Sequence, residues 1–155
     1  MNTDTLRCII GCDPVLSQQV IGIFAADEIP KKIPFFPIAF ILNTDDRKQP
    51  RSHWLSIYLP SAHKAEFFDS YGHSPSFYSR KLQDVFNINQ MTVIHNRKRL
   101  QSSYSNTCGY YCIFYLMCRC RKMEMGDIVK DFSHDYDVND IYVSDLISNI
   151  FPSCL

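Results

Sequence analysis

Neither sign of charge is in excess in this chain: sixteen Lys and Arg residues face sixteen Asp and Glu. A protein whose main task is coating nucleic acid carries a basic face, so this balance argues against that class. No apolar run approaches the roughly 20 residues a membrane-spanning helix needs; the segment 35–42 is strand-sized, and no membrane role is expected. The start, Met1-Asn-Thr-Asp-Thr-Leu-Arg7, lacks the basic-then-apolar order of a secretory signal, so an intracellular product is expected. No repeat, low-complexity tract or linker divides the sequence. The 155 residues read as a single domain over 1–155, enough to bury about 68–70% of the unfolded chain's surface without covalent staples.

The cysteines also lack something: none of the seven stands in the paired C-x-x-C spacing of zinc ribbons and fingers. A zinc set built from Cys108, Cys112, Cys118 and Cys120 has the wrong spacings and no histidine close by, so no metal site is expected. In an intracellular protein these cysteines read as free thiols, and Cys112, Cys118 and Cys120 as small buried hydrophobes. Cys8, Cys12 and Cys154 carry no readable signal.

Hydrophobic periodicity and breakers give the organisation. Asp13-Pro14 resembles a helix start, predicting a short helix through about Phe24. The segment 35–42 reads as a buried strand and 43–52 as a polar loop. Trp54, Ser56 and Tyr58 alternate with Leu55, Ile57 and Leu59, the period of a strand. Further strands are expected over 65–68 and 91–95, and a helix from Ser74-Pro75 to about Phe86. The stretch 107–122 is apolar on nearly every side and reads as a buried central helix. Two more helices are expected near 124–132 and 139–151. This is an α+β pattern, a small sheet with helices packed on it.

The chemistry concentrates at Gln101-Ser-Ser-Tyr-Ser-Asn-Thr-Cys108-Gly109, which runs directly into that central helix. A thiol in the first turn of a buried helix sees the positive end of the helix dipole and free backbone N–H groups, which favour the thiolate. The thiolate is the nucleophile that covalent catalysis by cysteine requires. Cys108 then needs a base and a group to orient that base. His53, at the start of one strand, and Asp69, at the end of the next, can meet if the two strands are antiparallel neighbours. The Asp69 carboxylate would fix the tautomer while the other ring nitrogen faces Cys108. The Gln101 amide and the Cys108 backbone N–H are candidate oxyanion donors, and Gly109 leaves room for close backbone approach. Taken singly, a buried cysteine, a packed histidine and a turn aspartate are the commoner roles; the joint pattern is far more specific.

Four blocks carry a resemblance to a known family: Ile41-Leu-Asn-Thr44, His53-Trp54, Phe68-Asp-Ser-Tyr-Gly72, and Gln101 through Cys108-Gly109. Across roughly 36–117 the chain resembles adenain, the adenovirus endopeptidase, and looks most like the Maverick/Polinton and adintovirus proteases. The resemblance implies the adenain/SUMO-protease-like α+β fold and a Cys-His-Asp triad of Cys108, His53 and Asp69, with Gln101 as oxyanion donor. It implies that Trp54 walls a narrow substrate channel and that cleavage follows small, Gly-containing motifs in capsid or core precursor proteins. It also implies a location in a virion or host nucleus, and a monomer is expected. No cofactor is required by the sequence, although DNA or an activating peptide is suggested by the resemblance; Arg97, Lys98 and Arg99 would then make a weak DNA contact. Adenain carries glutamate where Asp69 stands, a mild change because either carboxylate orients a histidine. Two other readings remain open: a SUMO- or ubiquitin-like isopeptidase on the same fold, and a catalytically silent binding module.

Overall fold

Branched and aromatic residues at alternate positions make the strands, and the sheet they form is covered on both faces. A computed structural model of the protein describes residues 1–45 and 53–155, so the tip of the expected 43–52 loop lies outside the described residues. Five strands, β1 (Val20–Phe24), β2 (Ile38–Asn43), β3 (Trp54–Ser61), β4 (Lys64–Phe68) and β5 (Thr92–His95), form one sheet in that order. The central pairs β2–β3 and β3–β4 are antiparallel, and the outer pairs β1–β2 and β4–β5 are parallel. The helices are α1 (Thr3–Cys12), α2 (Leu16–Gln19), α3 (Arg80–Ile88), α4 (Cys108–Cys120), α5 (Met125–Lys130) and α6 (Tyr136–Ile150). The architecture is the expected mixed α+β one.

The two-residue period of β2 and β3 sorts their side chains between two cores. Ala39, Ile41, Trp54 and Tyr58 pack with α4, α6 and α1 on one face. Ile38, Phe40, Leu42, Leu55, Ile57 and Leu59 pack with Leu82, Val85 and Phe86 of α3 on the other. Helix α4 lies against β3 and buries Tyr111 and Tyr115 completely. The Tyr115 ring stacks on Phe68 at 4.3 Å, nearly parallel. Its hydroxyl donates to buried Glu66 at 2.6 Å, and Arg119 donates to the same carboxylate at 2.7 and 2.8 Å. That pairing explains how an arginine sits in an otherwise apolar helix: its charge is met by a buried acid.

Three expectations need correction. The predicted helix over 13–24 is only the single turn α2, followed by strand β1. Asp13 stands at the end of α1 rather than at the N-cap of α2, and its carboxylate braces the turn between them by accepting from the N–H groups of Val15 and Leu16, each at 2.9 Å. The β-branched run Val20-Ile21-Gly22-Ile23 instead pairs in parallel with β2, a contact no local signal announces. The predicted 74–86 helix is split into a 3₁₀ turn at Pro75–Phe77 and α3, because Tyr78 takes an extended backbone between them. The cysteines are not all free: Cys8 and Cys154 form a disulfide across 146 residues, since the fold brings α1 against the C-terminal turn. Helix α1 itself, capped by Asn2 through the Thr5 N–H at 2.8 Å, was not anticipated.

Candidate active site

The site lies where β3 begins, β4 ends and α4 begins. His53 is fixed by its backbone: its N–H donates to Thr44 Oγ1 at 3.2 Å, and its carbonyl accepts from Thr44 N–H at 3.0 Å. This continues the β2–β3 ladder one pair beyond Asn43 and Trp54 and accounts for the Ile41-Leu-Asn-Thr44 block. Asp69 follows β4 directly and is fully buried. The antiparallel register, with Ser56 opposite Phe68, carries His53 and Asp69 to the same end of the sheet. His53 Nε2 lies 2.7 Å from Asp69 Oδ1, so the sixteen-residue gap closes into one hydrogen bond.

Asp69 is a hub. Oδ1 also accepts from the Tyr71 N–H at 2.9 Å; Oδ2 accepts from the Tyr78 hydroxyl at 2.7 Å and the His73 N–H at 3.2 Å, with His73 Nδ1 at 3.1 Å. The backbone of Asp69 is clamped by Asn96, whose Oδ1 accepts from the Asp69 N–H and whose Nδ2 donates to its carbonyl. Gly72 closes the turn by donating to the Asp69 carbonyl at 2.8 Å. Its φ of +76° and the backbone of Arg97–Arg99 3.0–3.1 Å from where a Cβ would stand leave glycine as the residue that fits. The Phe68-Asp-Ser-Tyr-Gly72 block is thus a strand end, a carboxylate and the turn that holds it.

The electrostatics follow from these contacts. Burial pushes the Asp69 carboxyl up, but the hydrogen bond and charge of His53, with the Tyr71 N–H and the Tyr78 hydroxyl, outweigh it and hold it below the usual carboxylate range. Burial pushes the His53 ring down, yet Asp69 and then Cys108, by hydrogen bond and charge, raise it from 6.5 to about 9. Burial also pushes the Cys108 thiol up; His53, with the N–H groups of Trp54 and Gly109, more than reverses this and lowers it below the ordinary thiol value. Two shifts of opposite direction on adjacent groups favour the thiolate–imidazolium form of the pair over the neutral one. The stability this pair gives through His53 is fully present below about 6.5 and is lost as pH rises through about 9. Alkylation of Cys108 by iodoacetamide should therefore begin at a lower pH than that of an ordinary thiol. In His53→Ala the rate profile should move up to that of an ordinary thiol; an unmoved profile would show that His53 does not activate Cys108.

The remaining sequence-selected residues fall close by, with particular partners. Gln101 is buried; its Oε1 accepts from Ser70 Oγ at 2.6 Å and its Nε2 donates to the carbonyl and Oγ of Ser105, both at 3.1 Å. Trp54 is nearly buried, donates to the Met1 carbonyl at 3.1 Å, and helps line a cleft of about 310 Å³ with Thr3, Arg7, Phe24 and Asn43. Gly109 is covered by Met1, whose Cβ lies 2.9 Å from where a Cβ would stand. On the other side Tyr71 packs against the His53 ring at 4.9 Å and lines a cleft with His73, Arg99 and Ser103. Of the basic triplet, Arg97 is exposed, Lys98 donates to the Lys130 and Phe132 carbonyls, and Arg99 donates to Gln101 O and Ser103 Oγ.

Sequence reasoning missed four residues. Asn96, His73 and Tyr78 hold Asp69 as described. Asp140 of α6 is buried and accepts from the Ser102 N–H at 3.2 Å and from Thr107 Oγ1 and the Tyr111 hydroxyl, each at 2.9 Å. It ties the loop carrying Gln101 to the start of α4. One signal was present: Asp140 stands on the face of Val143 and Ile147, and a carboxylate within an apolar helical stripe needs buried donors.

With this geometry in hand, comparison with known proteins is decisive. A family described as adenovirus endoprotease matches residues 22–132. The chain belongs to the adenovirus endoprotease family. A protease of ovine adenovirus D serotype 7 is 30% identical over a match covering 50% of this chain and 45% of the relative. The chain thus spans about half the length of the curated relative it matches. Among solved structures, the ASFV pS273R protease aligns with 68% of this chain and 43% of its own, at 23% identity and a TM-score of 0.43. ChlaDub1 from Chlamydia trachomatis aligns with 99% of this chain and 93% of its own, at 11% identity and a TM-score of 0.65. The last of these is a likeness of fold across the whole domain. The fold of this adenovirus endoprotease family member is accordingly the adenain/SUMO-protease-like one, and no described helix is long and apolar enough to cross a membrane.

Proposed function

We propose that the protein is a cysteine endopeptidase in which Cys108 is the nucleophile, His53 the base and Asp69 the group that orients it. The observation that carries this is the 2.7 Å bond from His53 Nε2 to a buried carboxylate, with Cys108 at the first position of α4 coupled to the same ring. Family membership supports the same reading. The Cys108 thiolate attacks the scissile carbonyl carbon. His53, already protonated, gives its proton to the leaving amine and then takes one from the water that hydrolyses the thioester. Asp69 keeps Nε2 occupied, so the remaining ring nitrogen is the one that serves the thiol.

The developing oxyanion needs donors at the start of α4. The Cys108 N–H is one. Gln101 is the other in this reading. Its Nε2 donates to the carbonyl and the hydroxyl of Ser105 in the free protein, and in this reading one of its two hydrogens turns from Ser105 to the oxyanion during catalysis. Gln101→Ala should lower kcat on the order of 10²–10³-fold. A loss below tenfold would leave Gln101 only the task of holding its loop.

The substrates in this reading are viral or transposon capsid and core precursors cut after small, Gly-containing motifs, with Trp54 forming one wall of the channel. A fluorogenic panel ending in Leu-x-Gly-Gly or Leu-Arg-Gly-Gly, measured with and without DNA, tests this. Cys108-dependent cleavage with preference for the first motif supports precursor maturation. Preference for the second would redirect the assignment to ubiquitin-like processing, and no Cys108-dependent cleavage of any peptide would overturn the endopeptidase reading.

A further inference from the structure

A disulfide uses two cysteines, yet three meet at the junction of α1 and the C-terminal turn. Cys8 and Cys12 stand four residues apart on α1, so they occupy one face of the helix on successive turns. Cys154 reaches that face from a turn closed by its own N–H on the Phe151 carbonyl. The sulfurs of Cys8, Cys12 and Cys154 all lie within 4.8 Å of one another. Cys12 Sγ is 3.8 Å from Cys154 Sγ and takes no part in the Cys8–Cys154 bond.

That third thiol is what a disulfide leaves unexplained and a metal site uses. In a tetrahedral zinc–thiolate site each Zn–S bond is about 2.3 Å, which sets the ligand sulfurs about 3.8 Å apart. The Cys12–Cys154 separation already has this value. A pair of ligands at i and i+4 on one helix, completed by a third from a distant segment, is a recurrent way to build a zinc site. Thiolates are soft ligands and select zinc or copper(I) over hard cations such as magnesium or calcium.

We propose that Cys8, Cys12 and Cys154, when the Cys8–Cys154 disulfide is reduced, form a three-thiolate site for one zinc ion. The bond opens by exchange with two equivalents of a small thiol, which leave as their own disulfide while Cys8 and Cys154 each gain a proton. Zinc then replaces the three thiol protons, and the fourth coordination position is left to water or to an external donor. Disulfide and metal are thus alternative staples between α1 and the C-terminal turn, each suited to one redox condition.

The site is testable apart from catalysis, in the full chain carrying Cys108→Ala so that the reactive thiol takes no part. The reduced protein, freed of reductant, is titrated with Zn²⁺ against a chromophoric chelator and with Co²⁺ as a spectroscopic probe. One equivalent of zinc per chain, and thiolate-to-cobalt charge-transfer absorption, are expected. Adding Cys12→Ser should weaken zinc binding at least tenfold while the oxidised protein still forms its Cys8–Cys154 bond, which shows that the variant is folded. Adding Cys118→Ser should change nothing. Absence of stoichiometric zinc in the reduced protein overturns the proposal, as does zinc binding that survives Cys12→Ser undiminished.

Discussion

Cys108→Ala should abolish peptide hydrolysis, with a fall in kcat on the order of 10⁶-fold, the scale seen when a covalent nucleophile is removed. The fold should persist. The side chain is small and buried at the start of α4, and α4 is held by contacts that do not involve the sulfur: the Tyr115–Glu66–Arg119 cluster and the bonds of Thr107 and Tyr111 to Asp140. A second consequence distinguishes loss of a nucleophile from general damage. Cys108 is one of the groups that raise His53, so in Cys108→Ala the ring should titrate below about 9 while remaining bonded to Asp69. Proton NMR of the histidine ring measures this directly. Hydrolysis that survives in Cys108→Ala, after purification from host proteases, would remove the assignment.

The second large effect belongs to Asp69→Asn. An amide at this position retains the shape but presents an NH₂ where donors from Tyr78 and His73 now point, and it no longer fixes the tautomer of His53. The rate should fall by about 10³–10⁴-fold, as when a triad carboxylate becomes an amide. Stability should fall as well, because each buried donor left unpaired costs about 1–3 kcal/mol. The acid side of the stability profile supplies the check. Asp69 is held below its ordinary 3.8, so its contribution is fully present above that value and is lost as pH falls through the lowered folded value. Urea unfolding of Asp69→Asn below pH 4 should therefore show a weaker dependence on pH than the parent. Equal slopes would show that other carboxylates govern acid unfolding, and a near-normal rate would show that another group orients His53.

The sequence by itself determined those features that depend on local period and on residue type. Alternation across 54–59 reads as a strand because successive side chains of an extended chain point to opposite faces. The two faces turn out to be two cores, both apolar, which is why every residue from Trp54 to Leu59 is buried. The central helix was legible because thirteen residues nearly free of charge cannot face water. His53, Asp69, Gln101 and Cys108 were legible as chemical types in a telling order.

Tertiary structure decided what depends on partners far along the chain. Val20–Phe24 is a strand rather than the end of a helix because β2 offers it a parallel edge. Cys8 and Cys12 acquire a meaning only when residue 154 is brought beside them. Asp69 is more than a turn residue because His53, Tyr71, His73 and Tyr78 all direct donors at it, and Asn96 clamps its backbone. A buried carboxylate is tolerable only with its oxygens satisfied, and the fold supplies donors from three separate segments to satisfy them.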